Sequence, residues 1–146
     1  MDTPYEKLLV SLARAEVRFI VVGGLAVALN GFVRTTEDVD ILVDSASDNI
    51  GALLSTLGAF GAGHARELDA TDFVETEGAI RVVEEFPLDI FTIMRGQRYA
   101  DLCRSVRTIR VGDCTLSYLA APALIALKEH SRREKDQIDV AALKAL

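Results

Sequence analysis

The stretch Asp38-Val39-Asp40-Ile41-Leu42-Val43 decides how this chain is read. Its apolar, β-branched residues predict a strand, and two aspartates interrupt it. Side chains alternate along a strand, so Asp38 and Asp40 share one face, roughly 7 Å apart. A second apolar run, Leu88-Asp89-Ile90-Phe91, carries a third aspartate. Like charges so placed repel, and a buried unpaired carboxylate is costly. A cation is therefore expected among them, and a hard divalent ion such as Mg2+ suits an all-oxygen site. Metal ions held by three carboxylates are a standard device for phosphoryl-group transfer. A solvated edge strand, or a helix cap at Glu37-Asp38, is the structural alternative. Asp89 weighs against it, because it interrupts another core strand independently.

Composition bounds the rest. With 146 residues, half of them apolar and 26% charged, the chain is long enough for one domain with a real core, spanning 1–146. A net charge of −6 argues against a protein that coats nucleic acid non-specifically, although RNA as a substrate stays open. Cys103 and Cys114 lack metal-site spacing and form no disulfide framework, so reduced thiols are expected. No signal segment and no membrane-length apolar run is present, which points to a cytoplasmic protein. The missing Gly-x-x-x-x-Gly-Lys-Ser/Thr loop argues against a Walker-type NTPase, and no Gly-x-Ser-x-Gly elbow is found. His64 and His130 stand outside any ligand pattern.

The periodicity predicts an α/β (α+β) domain: a small mixed β-sheet flanked by helices. Thr3-Pro4-Tyr5-Glu6 is a capping box, predicting a helix over 3–15. Strands are expected over 17–22, 38–44, 80–85 and 88–94, with a short helix at 25–29 and another from Ser47 or Asp48 to Gly58. The segment 61–78 admits helix, loop or a mobile flap. A short helix over 99–105, a small hairpin at 108–117 around Gly112-Asp113, and helices over 121–133 and 136–146 complete the chain. The core thus covers about 17–94, and a C-terminal hairpin with helices about 99–146.

Gly23-Gly24 comes directly after the run Phe19-Ile20-Val21-Val22. Glycines there let backbone amides approach a triphosphate, and a helix N-terminus adds partial positive charge. Alone, the pair reads more readily as a plain strand-to-helix turn, and the acidic pattern downstream reverses that preference. Arg34 could hold phosphate or be an ordinary surface arginine. Thr36 could bond phosphate or shape a turn, and Asp44 could cap the segment after the strand. Lys128 ends the apolar stretch Leu124-Ile125-Ala126-Leu127 and is either solvated or functional. Arg132, Arg133 and Lys135 interleave with Glu134, Asp136 and Asp139, which predicts helix-surface ion pairs. Lys135-Asp136 could instead orient the last helix against the site.

The order of these motifs resembles the nucleotidyltransferase superfamily with the polymerase-β-like fold. That pattern is a glycine pair, a spacer, Asp-x-Asp and a third acidic residue on a later strand; here 13 residues separate Gly24 from Asp38. Arg34-x-Thr36-x-Asp38-x-Asp40 and the basic C-terminal segment look closer still to small bacterial nucleotidyltransferases of the abortive-infection and toxin–antitoxin types. The resemblance implies that Asp38, Asp40 and Asp89 hold Mg2+, or Mn2+ in its place, and that Gly23, Gly24, Arg34, Thr36 and Lys128 contact an NTP such as ATP. It implies transfer of a nucleoside monophosphate to a hydroxyl of a tRNA end, a protein or a small molecule. In a toxin–antitoxin setting an antitoxin partner is implied, and a homodimer is plausible from the apolar content. A catalytically inactive accessory subunit is the alternative; it would be expected to lack a carboxylate or the glycine pair, and this chain has both.

Overall fold

The computed structural model describes residues 4–32, 36, 38–61 and 63–146, so the expected cap at Thr3 and the position of Arg34 lie outside the described residues. Helix α1 (Pro4–Arg14) buries Leu8, Leu9 and Leu12, which recur on one helical face. It ends in a Schellman turn: Val17 N–H donates to the Leu12 carbonyl and Glu16 N–H to that of Ala13. Glu16 takes the left-handed conformation at φ 59°, where glycine is usual.

The chain then alternates through β1 (Phe19–Val22), α2 (Gly23–Leu29), β2 (Val39–Val43) and α3 (Ser47–Gly58). Strands β3 (Ala79–Val83) and β4 (Pro87–Phe91) come next, then β5 (Ile93–Met94), β6 (Gln97–Arg98) and α4 (Tyr99–Leu102). Strands β7 (Val106–Val111) and β8 (Cys114–Leu119) and helices α5 (Ala121–Lys128) and α6 (Glu134–Lys144) close the chain. Six strands form one mixed sheet in the order β3-β4-β2-β1-β8-β7. β1 runs antiparallel to β2 and parallel to β8, while β2 runs parallel to β4. The α/β class and the small mixed sheet flanked by helices are as the sequence predicts.

Ile20, Val21, Val22, Ile41, Leu42 and Val43 at the sheet centre are inaccessible to solvent. Each such side chain contributes roughly 1.5–3 kcal/mol by leaving water, which makes the central strands a stiff base for a site. Buried Asn49 ties α3 to this base. Its Oδ1 accepts from Arg18 N–H at 2.7 Å, and its Nδ2 donates to the carbonyls of Arg18 at 3.0 Å and Asp44 at 2.8 Å. Asp44 caps the turn after β2 by accepting from Ala46 N–H at 3.1 Å.

Four expectations need correction, and one segment that was open is assigned. The glycine pair does not end β1 ahead of a later helix; α2 begins at Gly23 itself. The strand expected over 88–94 breaks at Thr92, and Ile93–Met94 pairs instead with Gln97–Arg98. Gly96 and Arg95, both at positive φ, turn that ribbon, and the Glu77 carboxylate accepts their N–H groups at 2.6 and 2.8 Å. The C-terminal hairpin is longer than expected and joins the main sheet through β8. Segment 61–78 holds two short 3-10 helices, His64–Glu67 and Ala70–Phe73, pinned by buried Ala65 and Phe73. The helix predicted through residue 133 stops at Lys128, and α6 starts at Glu134, because Ser131 between them accepts from Arg133 N–H and donates to Asp136.

Candidate active site

The strand register places the acidic residues. Arg81 on β3 lies opposite Asp89 on β4, Asp89 opposite Asp40 on β2, and Asp40 opposite Val22 on β1. Residues opposite one another point to the same face, so Arg81, Asp89 and Asp40 form one row across three strands. Asp38, two residues before Asp40, joins that face. One carboxylate oxygen from each of Asp38, Asp40 and Asp89 lies within 4.8 Å of the others.

Gly23 closes the row at the end of β1. Its φ is +66°, and a Cβ there would lie 2.0 Å from Asp40 Oδ2. Only glycine fits, because any side chain would collide with the carboxylate and strain the backbone. Gly23, Gly24, Thr36, Lys128 and the three aspartates all line one cavity of about 430 Å³. Arg34, the remaining candidate for phosphate contact, lies outside the described residues.

The cluster is electrostatically loaded. Burial, then the neighbouring charges of Asp38 and Asp89, push the Asp40 carboxyl up to about 7. Arg81 partly offsets this charge. Its Nε and Nη2 donate to the two oxygens of Asp89, each at 2.8 Å, and Nη2 also reaches Asp38 Oδ2 at 3.3 Å. That fork, with Asp89 first and Asp38 after it, raises the arginine above its ordinary value.

A second network faces the same cavity from α5 and α6. Lys128 Nζ donates to Asp136 at 2.8 Å and to Asp139 at 3.1 Å, and Ser131 Oγ donates to Asp136 at 2.6 Å. Asp136 and Asp139 are buried, not helix-surface ion pairs as their charged surroundings suggested. Burial opposes the ionised form of Asp136, but the Lys128 and Ser131 hydrogen bonds outweigh it and hold the carboxyl below its ordinary value. Arg95 and Arg133 approach Asp136 at 3.6 and 3.9 Å. Asp136 therefore pairs with Lys128 and its neighbours, and joins α6 to the cavity.

Arg81, Arg95 and Glu77 are the charged cavity residues, among those described, that sequence reasoning missed. The available signal for Arg81 was an arginine inside the apolar run Ile80-Arg81-Val82-Val83, one hairpin away from Asp89. A charge there needs a partner, and the antiparallel β3–β4 pairing supplies it.

The three carboxylates fit a divalent cation: the donors are hard oxygens, one from each aspartate lies within 4.8 Å of the others, and Gly23 leaves the space that the Asp40 carboxylate occupies. Similar folds are known. The chain superposes on a lincosamide antibiotic adenylyltransferase, LnuA, in its lincomycin-bound form, with a TM-score of 0.61 and 17% identity over 99% of this chain and 97% of that one. A Thermotoga maritima protein proposed to be a nucleotidyltransferase gives a TM-score of 0.58 at 18% identity, covering 100% of this chain and 97% of that one. An antigenic nucleotidyltransferase-like protein from Paracoccidioides brasiliensis gives 0.56 at 14% identity, over 96% and 74%. At these identities the likeness is one of fold. No curated protein matches the chain in sequence. A family model does, over residues 4–92, which include the glycine pair and all three aspartates. The chain belongs to that family, a nucleotidyltransferase family of unknown function (DUF6036).

Proposed function

We propose that the protein moves a nucleoside monophosphate from an NTP to a hydroxyl acceptor, with Mg2+ or Mn2+ held by Asp38, Asp40 and Asp89. The convergence of these three carboxylates in one cavity, against the backbone of Gly23, carries the reading. A bound divalent ion there would neutralise phosphate charge and align in-line attack on the α-phosphate.

This chain's own residues supply the rest. Gly23 and Gly24 open the backbone to the polyphosphate. Arg81, Arg95, Arg133 and Lys135 line the cavity and give the triphosphate positive neighbours. Asp40 and Asp89, adjacent across the β2–β4 pairing, are placed to draw the proton from the acceptor hydroxyl. The acceptor oxygen bonds to the α-phosphorus, the bond to pyrophosphate breaks, and the hydroxyl proton passes through a carboxylate to water. Presence of all three carboxylates and the glycine pair favours an enzyme over an accessory subunit.

The acceptor is a hydroxyl of an RNA end, a protein or a small molecule. Near-complete mutual coverage with the lincosamide adenylyltransferase supports testing adenylyl transfer to small hydroxyl compounds first. The experiment is calorimetric titration with each of the four NTPs, with and without Mg2+. Metal-dependent binding that Asp38→Asn/Asp40→Asn abolishes is the expected result. A folded protein that binds no NTP overturns the proposal.

A further inference from the structure

Arg81 spans the carboxylates that a metal would need. Its guanidinium takes both oxygens of Asp89 in a fork and touches Asp38, so two of the three proposed ligands are already engaged by a cation. The surroundings of the side chain differ from those of Lys128, which is also paired within the cavity. β3 is the outermost strand of the sheet, and Arg81 is 53% exposed with exposed Ala79 and Val83 beside it on the same face. Lys128 is 14% exposed and held by two buried aspartates. Half in water, the Arg81 head is free to change partners, and it already lines the cavity where a polyphosphate would lie.

A divalent ion among the carboxylates would stand beside the guanidinium. Like charges at that range repel, and the carboxylate charge is shared between them. Arginine is also suited to the alternative partner, since its fork matches phosphate oxygens as well as it matches a carboxylate.

We propose that Arg81 is a built-in counter-cation of the cluster, competing with the divalent ion for Asp89 and Asp38 and transferring its fork to the nucleotide's polyphosphate when the ion binds. This deepens the reading of the site as a nucleotidyltransferase centre and rests on it. Before loading, Arg81 holds Asp89 and Asp38 together. After loading, the nucleotide replaces the partner that the arginine lost, so metal and nucleotide favour each other's binding through one side chain.

The test uses two binding measurements on the full chain and on Arg81→Gln. Mn2+ is titrated without nucleotide and followed by electron paramagnetic resonance. NTP binding is measured separately by calorimetry at saturating Mg2+. The expected result is opposite signs: Arg81→Gln binds Mn2+ about tenfold more tightly and the NTP about tenfold more weakly. An arginine that only orients Asp89 would weaken both, and unchanged or weaker Mn2+ binding overturns the proposal. Arg81→Lys keeps the charge without the fork and is expected to fall between the two in the Mn2+ assay; Lys matching the wild type there also overturns it. Failure of the wild type to bind any NTP would sink the nucleotidyltransferase reading, while the Mn2+ comparison still decides the competition.

Discussion

Replacing Asp40 with Asn is expected to stabilise the metal-free protein, increasingly so as pH rises from about 4 to about 7. In the unfolded chain this carboxyl titrates at 3.8; in the fold it is pushed up to about 7 by burial and by Asp38 and Asp89. Between these values the folded protein holds a proton that the unfolded chain has released. The stability linked to Asp40 is therefore fully present below about pH 4 and is lost as pH rises through about 7. Each tenfold change in proton affinity is worth about 1.4 kcal/mol, so the whole rise corresponds to roughly 4 kcal/mol. Asp40 is only half-buried, so solvent screens part of this, leaving about 2–4 kcal/mol for Asp40→Asn. Asn keeps the shape and stays neutral, and its amide can donate to Asp89 as the protonated carboxyl does.

Urea melts in EDTA at pH 5 and pH 8 measure the effect. At pH 5, where only about a third of the linked stability has been lost, Asp40→Asn should lead the wild type by about 1 kcal/mol. At pH 8 the variant should be more stable by about 2–4 kcal/mol, or roughly 6–12 °C in Tm. Mg2+ at a thousand times Kd should close or reverse the gap, since only the wild type gains binding free energy, about 4.1 kcal/mol at that concentration. A variant less stable than wild type at pH 8, or an equal gap at both pH values, would refute the reasoning.

Two other substitutions probe the frame around the carboxylates. Gly23→Ala would drive a methyl into Asp40 Oδ2, so calorimetry should show NTP binding lost, and melts a cost of about 1–3 kcal/mol. Lys128→Met leaves Asp136 and Asp139 buried without their shared ammonium, and denaturant melts should show a loss of about 3–5 kcal/mol, part of it recovered by adding Asp136→Asn.

The aspartates were legible because period-2 alternation fixes which side chains share a face, and an acid inside an apolar strand demands a partner. The glycine pair was legible by its place after a buried strand, although its reason, the contact with Asp40, appears only in three dimensions. Pairings between distant segments were not legible. β8 sits parallel beside β1, Val21 opposite Tyr118, and no local signal joins residues that far apart. The burial of Asp136 and Asp139 escaped for a related reason. Their segment is highly charged, and helical spacing puts both on one side, but only the approach of Lys128 from α5 makes their burial tolerable. Arg81 was readable in principle: the hairpin between β3 and β4 sets it opposite Asp89.

Lys128 and Arg81 have different duties at the cavity, and exposure separates them. Lys128 neutralises aspartates that are buried in the protein; removing it strands charge in the core, so its first duty is to hold α5 and α6 together beneath the cavity. Arg81 neutralises aspartates that face the cavity, from an edge strand where its own head is half in water. Asp89 is itself buried. An exchange still costs less where the departing cation is half in water and an arriving ion takes its place than where cation and carboxylates are all buried. An exchange of partners during loading is thus open to Arg81 and prohibitive for Lys128. By the same reasoning Asp38, the more exposed of the two aspartates that Arg81 touches and bound through one longer contact, is the ligand that should be released first when a divalent ion arrives.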